Sequence, residues 1–356
     1  MKSKTSVKWL VAFLISFLVI LGLLGGMVAF IDPYFHYHAP LTFVRYELKQ
    51  ERYQNNGIVK HFEYDAIITG SSMTQCFKTS ELDELFGTNA VKVPYSGGSY
   101  KEVNDNLVIA TKYNPDIKMI VRGLDPNRFF NDKDDMNYDN CPEYLYDDFV
   151  WNDAAYLFNK EVLLTAVQNL HGYLATGQNE LSFDIYSNWS DYATYGIDEI
   201  MANYDRNSME IVKEQAQITE EEYARMEANI EQNIVSLVRE NPDIEFYIYF
   251  TPYSIYCYDW WKRQGLLEKH LLAERYFIEE MLPYENLHVF SFLTEYDTVC
   301  NPDNYKDMAH HGGMVSSLIL QWMKEGKHEM TYENYEAHCQ EVWDFYTNFD
   351  YDGLFE

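Results

Sequence analysis

Trp9 to Phe30 is an apolar run of 22 residues without a single charge, and it constrains everything that follows it. At about 1.5 Å rise per residue a helix of that length spans about 33 Å, enough to cross the hydrocarbon core of a bilayer. Lys2, Lys4 and Lys8 precede the run, and Asp32 is the first charge beyond it. That asymmetry predicts a cytoplasmic N-terminus, with all that follows Phe30 outside the cytoplasmic membrane. A cleaved signal peptide is the competing reading, because a basic stretch also leads such peptides into an apolar one. Its apolar stretch is normally about half as long, and Gly25-Gly26-Met27-Val28-Ala29 is a poor small-x-small cleavage site. A retained signal anchor over residues 1–30 is therefore expected, with the membrane as its partner.

Beyond the anchor lies enough chain for a large globular domain, and hydrophobic residues, 47% of the 356, supply its core. Acids outnumber bases 56 to 27, a formal charge of −29. A surface so negative repels phosphate backbones, which argues against nucleic acid as a partner. The 31 tyrosines suit stacking on sugars, but Tyr is equally an ordinary core and loop residue. All five cysteines (76, 141, 257, 300 and 339) fall in the external part, with no C-x-x-C and no zinc-like spacing. The compartment permits one disulfide, which spacing cannot assign; isolated buried cysteines are the expectation.

Short apolar runs alternate with helical patterns from residue 64 onward. Ala66–Thr69 reads as a strand ending in Gly70-Ser71-Ser72, followed by an amphipathic helix Ser80–Phe86 with Ser80 as its N-cap. A second strand, Ala90–Val93, stops at Pro94 and the turn Ser96-Gly97-Gly98, and Lys101–Tyr113 is helical by its apolar spacing. Ile117–Val121 is a third strand, closing at Gly123-Leu124-Asp125-Pro126; Ile244–Phe250 and Leu287–Phe290 are a fourth and a fifth. One long helix is expected from about Asp259 to Leu282, and a closing helix over Met314–Lys324. Such alternation predicts an α/β fold whose parallel sheet is covered on both faces.

Residues 31–63 are expected to be a connecting segment. The stretch at about 129–208, rich in Asp, Asn and Tyr, breaks the rhythm; it reads as an insertion, with a helix over Ala154–Leu174, lying over the strand ends. The main domain then covers 64–329, and residues 330–356 form a final helix with an acidic tail.

Ligands of parallel α/β sheets collect at the carboxyl ends of the strands. Three polar groupings fall there. Gly70-Ser71-Ser72-Met73 presents a serine hydroxyl at the sheet edge beside helix-start N–H groups. Tyr95-Ser96-Gly97-Gly98-Ser99 lets backbone N–H groups approach a substrate oxygen. Asn304–His311 (NYKDMAHH) places Asp307 three residues before His310, a spacing that holds one imidazole tautomer while the other ring nitrogen faces a nucleophile. Singly these are an N-cap, a turn and a chance D-x-x-H.

In that order along the chain they resemble the SGNH/GDSL hydrolase superfamily over roughly residues 64–325. The resemblance implies a three-layer α/β/α sandwich around a central parallel sheet of about five strands, here behind one transmembrane helix. It implies Ser72 as nucleophile, His310 as general base, Asp307 as the residue orienting it, and Gly97, with Gly98 beside it, at the oxyanion. Ser71 replaces the usual Asp of the first block. In the third block, where the family has Gly-x-Asn-Asp, the chain reads Gly123-Leu124-Asp125-Pro126-Asn127. Asp125 holds the place of the oxyanion Asn, and an ionised carboxylate cannot donate a hydrogen bond. Either Asn127 fills the role from a shifted loop, or Asp125 is protonated, or that donor is missing. The expectation is that Pro126 turns Asp125 toward backbone N–H groups of neighbouring loops and brings Asn127 nearer the site.

The chain is most similar to membrane-anchored extracytoplasmic members of the superfamily, including those of lipoteichoic acid D-alanylation and exopolysaccharide acetylation. The resemblance implies a serine esterase or O-acyltransferase acting on acylated cell-surface glycans or teichoic-acid-like polymers, with no cofactor. Acyl transfer would imply a membrane O-acyltransferase as a partner. The alternative is a membrane-tethered scaffold of envelope polysaccharide assembly that keeps the fold without catalysis. A metal site is not expected: the Asp132–Asp135 cluster lacks EF-hand spacing, and adjacent histidines such as His310 and His311 seldom point the same way.

Overall fold

The computed structural model describes residues 2–137, 141–177 and 181–355. The chain divides into two units, Met1–Phe62 with Asn140–Ser182, and Glu63–Asp139 with Phe183–Glu356.

In the first unit a helix runs over Lys2–Ile31, and its part Ser6–Ile31 is long and apolar enough to cross a membrane. The chain reverses just past this helix. Asp32, at φ +47°, is fully buried. Its carboxylate accepts the backbone N–H groups of His36, Tyr37 and His38 at 3.0, 2.7 and 3.0 Å and the Tyr156 hydroxyl at 2.7 Å. Four charge-assisted donors stabilise a carboxylate that burial alone would penalise. Residues 31–63 are thus more than a connector. They contain the helix Glu51–His61 and pack Tyr34 with Val28, Leu145, Tyr156 and Val162 into a core of the unit's own. The helix expected over 154–174 is two, Ala154–Leu157 and Lys160–Thr176, the second capped by the Asn159 side chain on the N–H of Glu161.

The second unit is built on a six-stranded sheet: β1 (Ala66–Gly70), β2 (Ala90–Pro94), β3 (Met119–Leu124), β4 (Glu245–Phe250), β5 (Leu287–Ser291) and β6 (Glu329–Met330), in the order β2-β1-β3-β4-β5-β6. The first five pair in parallel; β6 pairs antiparallel with β5 at the edge. Every residue of β1, β2 and β3 is buried, the signature of strands covered on both faces. Ala66, Ile68, Met119, Val121 and Phe290 on one face pack with Leu82 of the helix Thr79–Phe86 and with Val315 and Ile319 of the helix Gly313–Glu325. Arg122 points to the other face, where its guanidinium donates to the Tyr100 carbonyl at 3.0 Å and the Asn233 carbonyl at 2.6 Å. Those carbonyls belong to the helix Tyr100–Tyr113 and to a π-turn, Glu231–Val235.

Within this unit three elements depart from the sequence expectations. The helix after β1 starts at Thr79 with Lys78 at its N-cap; Ser80 lies inside the first turn and donates to Asp184 at 2.6 Å instead. The long helix after β4 is two, Ile255–Arg263 and Leu267–Met281, broken at Gly265 with φ +67°. The segment 212–216 crosses the break, bonding the Arg263 and Gly265 carbonyls from the N–H groups of Val212 and Ala216 at 2.8 and 2.7 Å. A side chain at 265 would strike the Glu214 carbonyl, so glycine is required there by space as well as by φ. The C-terminal stretch begins with strand β6 before the helix Tyr335–Asn348. Cys76, Cys257, Cys300 and Cys339 carry free thiols, Cys76 and Cys257 of them buried.

Glu274, on the helix 267–281, is buried and accepts the Ser291 hydroxyl at 2.6 Å at the end of β5. Burial pushes its carboxyl from the ordinary 4.5 up to about 7, with the Ser291 hydrogen bond pulling the other way. A carboxyl raised in the folded state favours folding while protonated, and that contribution is lost as pH rises through the folded value. Between pH 4.5 and 7 this one group should remove on the order of 3 kcal/mol of stability. Urea unfolding across that range should be markedly flatter for Glu274→Gln than for the parent chain.

Candidate active site

The sheet order reverses direction at β1, which has β2 on one side and β3 on the other. In open α/β sheets ligands bind outside the carboxyl ends of the strands at such a switch point. Gly70 closes β1 at φ +148°, with Thr74 and the Gly123 carbonyl so close that a Cβ would stand 2.6 and 3.0 Å from them. The chain thereby enters a 3-10 turn, Ser72–Thr74, capped by Ser71, whose hydroxyl oxygen accepts the Met73 N–H at 3.2 Å. Ser72 is left half-buried at the head of that turn.

Ser72 Oγ lies 2.8 Å from His310 Nε2 across 238 residues of sequence. His310 Nδ1 lies 2.8 Å from Asp307 Oδ2 and 3.0 Å from Oδ1. The same carboxylate accepts the backbone N–H groups of Ala309 and His310 at 2.9 and 2.8 Å, which fixes it against the turn that carries the imidazole. Partial burial would raise the Asp307 carboxyl. The hydrogen bond and charge of His310 and the two N–H donors overcome that and hold it at about 2. Asp307 is therefore an anion near neutral pH. It selects the tautomer with the proton on Nδ1, leaving Nε2 as an acceptor toward Ser72. His311 lies elsewhere: it is buried, its Nδ1 is 3.3 Å from the Gly312 carbonyl, and burial pushes it down to about 4.

Two glycines follow β2. Gly98 donates its N–H to the Tyr95 carbonyl at 2.7 Å, so that N–H is spent inside the turn and is no oxyanion donor. Gly97 adopts φ +64°, and its carbonyl is held by Asn137 Nδ2 at 2.7 Å and Arg128 Nη2 at 3.3 Å.

Asp125, after β3, is buried; its backbone carbonyl accepts the Arg128 N–H at 2.9 Å, but among the described residues its carboxyl group takes no backbone N–H. Its donors are hydroxyls, Thr251 at 3.0 Å and Ser71. The reason is local: both hydroxyls stand at strand ends beside it, and the Tyr100 hydroxyl holds the Asp125 carbonyl at 2.8 Å. Burial pushes the Asp125 carboxyl up, offset by Ser71 and Thr251 and by the charges of His310 and Arg128. Asn127 was expected nearer the site; it stands exposed on the 3-10 turn Pro126–Arg128 and makes no hydrogen bond to Ser72 or His310.

Four neighbours were given no role at the site from sequence. Ser71 links the 3-10 turn to Asp125, and Thr251 holds Asp125 from the end of β4. Trp189 meets the His310 ring edge-on at 6.0 Å and donates from its indole N–H to Gln75 Oε1 at 2.8 Å. The Lys306 ammonium sits 3.6 Å above the Trp189 ring. The position of Thr251, just past a strand in Thr251-Pro252, was a usable signal; a tryptophan within an irregular insertion gives none. Ser190 secures this loop by accepting the Gly313 N–H at 2.7 Å, so residues 183–195 of the expected insertion do reach the site. Among the described residues no group of three or more His, Cys, Asp or Glu side chains could hold a metal ion. No protein-family model, no curated protein and no solved structure matches this chain.

Proposed function

We propose that this chain is an extracytoplasmic serine esterase or O-acyltransferase of SGNH type, acting on acylated cell-surface glycans or teichoic-acid-like polymers. One observation carries the reading: the chain Ser72 Oγ, His310 Nε2, His310 Nδ1 and Asp307 is continuous at hydrogen-bond distances. In the proposed reaction Ser72 Oγ attacks an acyl carbonyl while its proton passes to His310 Nε2. The oxyanion is held by the backbone N–H groups of Ser72 and Gly97. His310 then protonates the departing oxygen, and the acyl group rests on Ser72 as an ester. Water or a carbohydrate hydroxyl, deprotonated by His310, releases it and restores the serine.

The helices flanking both faces of the sheet support a three-layer α/β/α arrangement within this reading. The apolar helix Ser6–Ile31, with Lys2, Lys4 and Lys8 ahead of it, supports a single-pass anchor with the N-terminus in the cytoplasm and the catalytic unit outside. A membrane O-acyltransferase is the partner that would supply acyl groups. The formal charge of −29 disfavours densely anionic polymers unless cations screen them.

A second reading, a membrane-tethered scaffold, is favoured by Asp125, a buried carboxyl where an oxyanion donor is expected. Turnover separates the two. The purified full-length chain, given an aryl acetate with and without a sugar acceptor, should release the phenol and, with the acceptor, acetylate the sugar. No release by correctly folded protein would favour the scaffold.

A further inference from the structure

The first unit carries an apolar surface that its own core leaves uncovered. Phe149, Val150 and Trp151 form an exposed loop, with Trp151 81% and Val150 70% accessible. In the helix Lys160–Thr176, Val162, Ala166 and Asn169 are buried, while Leu164, Val167 and Leu174 are exposed. At about 100° per residue the second set lies opposite the first, so this helix has apolar residues on both sides. A helix surrounded by water has no use for the second.

The place of this surface along the anchor indicates its occupant. Phe158, just before the helix, lies against Gly25 of the anchor, where a Cβ would meet its ring at 3.3 Å. Val162 shares a core with Val28. Counting about 20 residues of hydrocarbon span from Trp9, the first residue past Lys8, brings the bilayer's outer boundary to about Val28. The helix therefore starts at the depth where Trp and other amphipathic rings settle at membrane interfaces, and the Phe149-Val150-Trp151 loop lies shortly before it in the chain.

We infer that residues 149–174 are a second membrane contact, with the Phe149-Val150-Trp151 loop and the Leu164–Val167–Leu174 face seated in the outer-leaflet interface beside the anchor. The bilayer suits this surface better than a protein partner because the surface continues from a helix whose own exposed side chains are apolar. Such a contact would add buried apolar area to that of the anchor and restrict rotation of the first unit about it. The inference rests on the anchor crossing the membrane, and it is independent of the catalytic reading.

The test uses the full-length chain in its native membrane, with a benzophenone amino acid placed at Trp151, at Val167, at Leu18 of the anchor, or at Tyr332 of the second unit. Irradiation should add the mass of one phospholipid at Trp151 and Val167, as at Leu18, and none at Tyr332. Lipid adducts at Leu18 alone would overturn the inference, as would adducts at Trp151 and Val167 solely to a second copy or another protein. Equal lipid labelling at Tyr332 would overturn it as indiscriminate. Loss of lipid adducts at every position, Leu18 included, would overturn the anchor and this contact together.

Discussion

Ser72→Ala should lower the turnover of an acyl ester by a factor on the order of 10⁶ while leaving the melting temperature within about a degree of the parent. The two effects separate because Ser72 Oγ is half-buried and bonded to one partner, His310. His310→Ala should cost about as much, since the nucleophile and its base act as a unit and their losses do not add. Full turnover by Ser72→Ala would place the nucleophile elsewhere.

Asp125→Ala should be the most destabilising single change at the site. It leaves the Ser71 and Thr251 hydroxyls facing a buried space without their acceptor. An unsatisfied buried donor costs about 1–3 kcal/mol, so a loss of roughly 2–4 kcal/mol is expected, visible in urea unfolding. Asp125→Asn keeps one acceptor oxygen and should cost less, and it should lower stability more than it raises turnover. A carboxylate about 4 Å from the oxyanion would oppose it by roughly 4 kcal/mol at an effective dielectric near 20, a nearly thousandfold loss of rate. The two hydroxyls on Asp125 engage the carboxylate within the strand ends instead. Burial raises this carboxyl, so its contribution to stability is greatest when it is protonated and is lost as pH rises through its folded value. The Asn variant should lack that part of the pH dependence. A large gain in turnover with unchanged stability would show that the carboxylate faces the oxyanion and would favour a protein tuned for binding.

The five parallel strands were legible because each is a short apolar run ended by a turn signal, and burial on both faces leaves little else such runs can be. Strand β6, two residues long, carries no periodicity to detect. The break at Gly265 was hidden because its cause, the crossing segment 212–216, is distant in sequence. The core of residues 31–62 was missed for a related reason. It is organised by a buried aspartate and by tyrosines, which a hydrophobic pattern assigns to a polar connector. At the site, Ser72, Asp307 and His310 could be picked out because strand-end position and i, i+3 spacing are local properties. Of their supports only Thr251 left a trace, its place just past a strand; Trp189 is joined to the site by a contact spanning more than a hundred residues and has no local signal.

The central claim is that Ser72 is the group that takes up an acyl or phosphonyl electrophile. The direct measurement is to treat the folded full-length chain with a fluorophosphonate serine probe and locate the adduct by peptide mapping. The account predicts one adduct, on Ser72, absent from Ser72→Ala and strongly reduced in His310→Ala. An unlabelled Ser72 in folded protein, or an adduct on another serine that persists in Ser72→Ala, would contradict it.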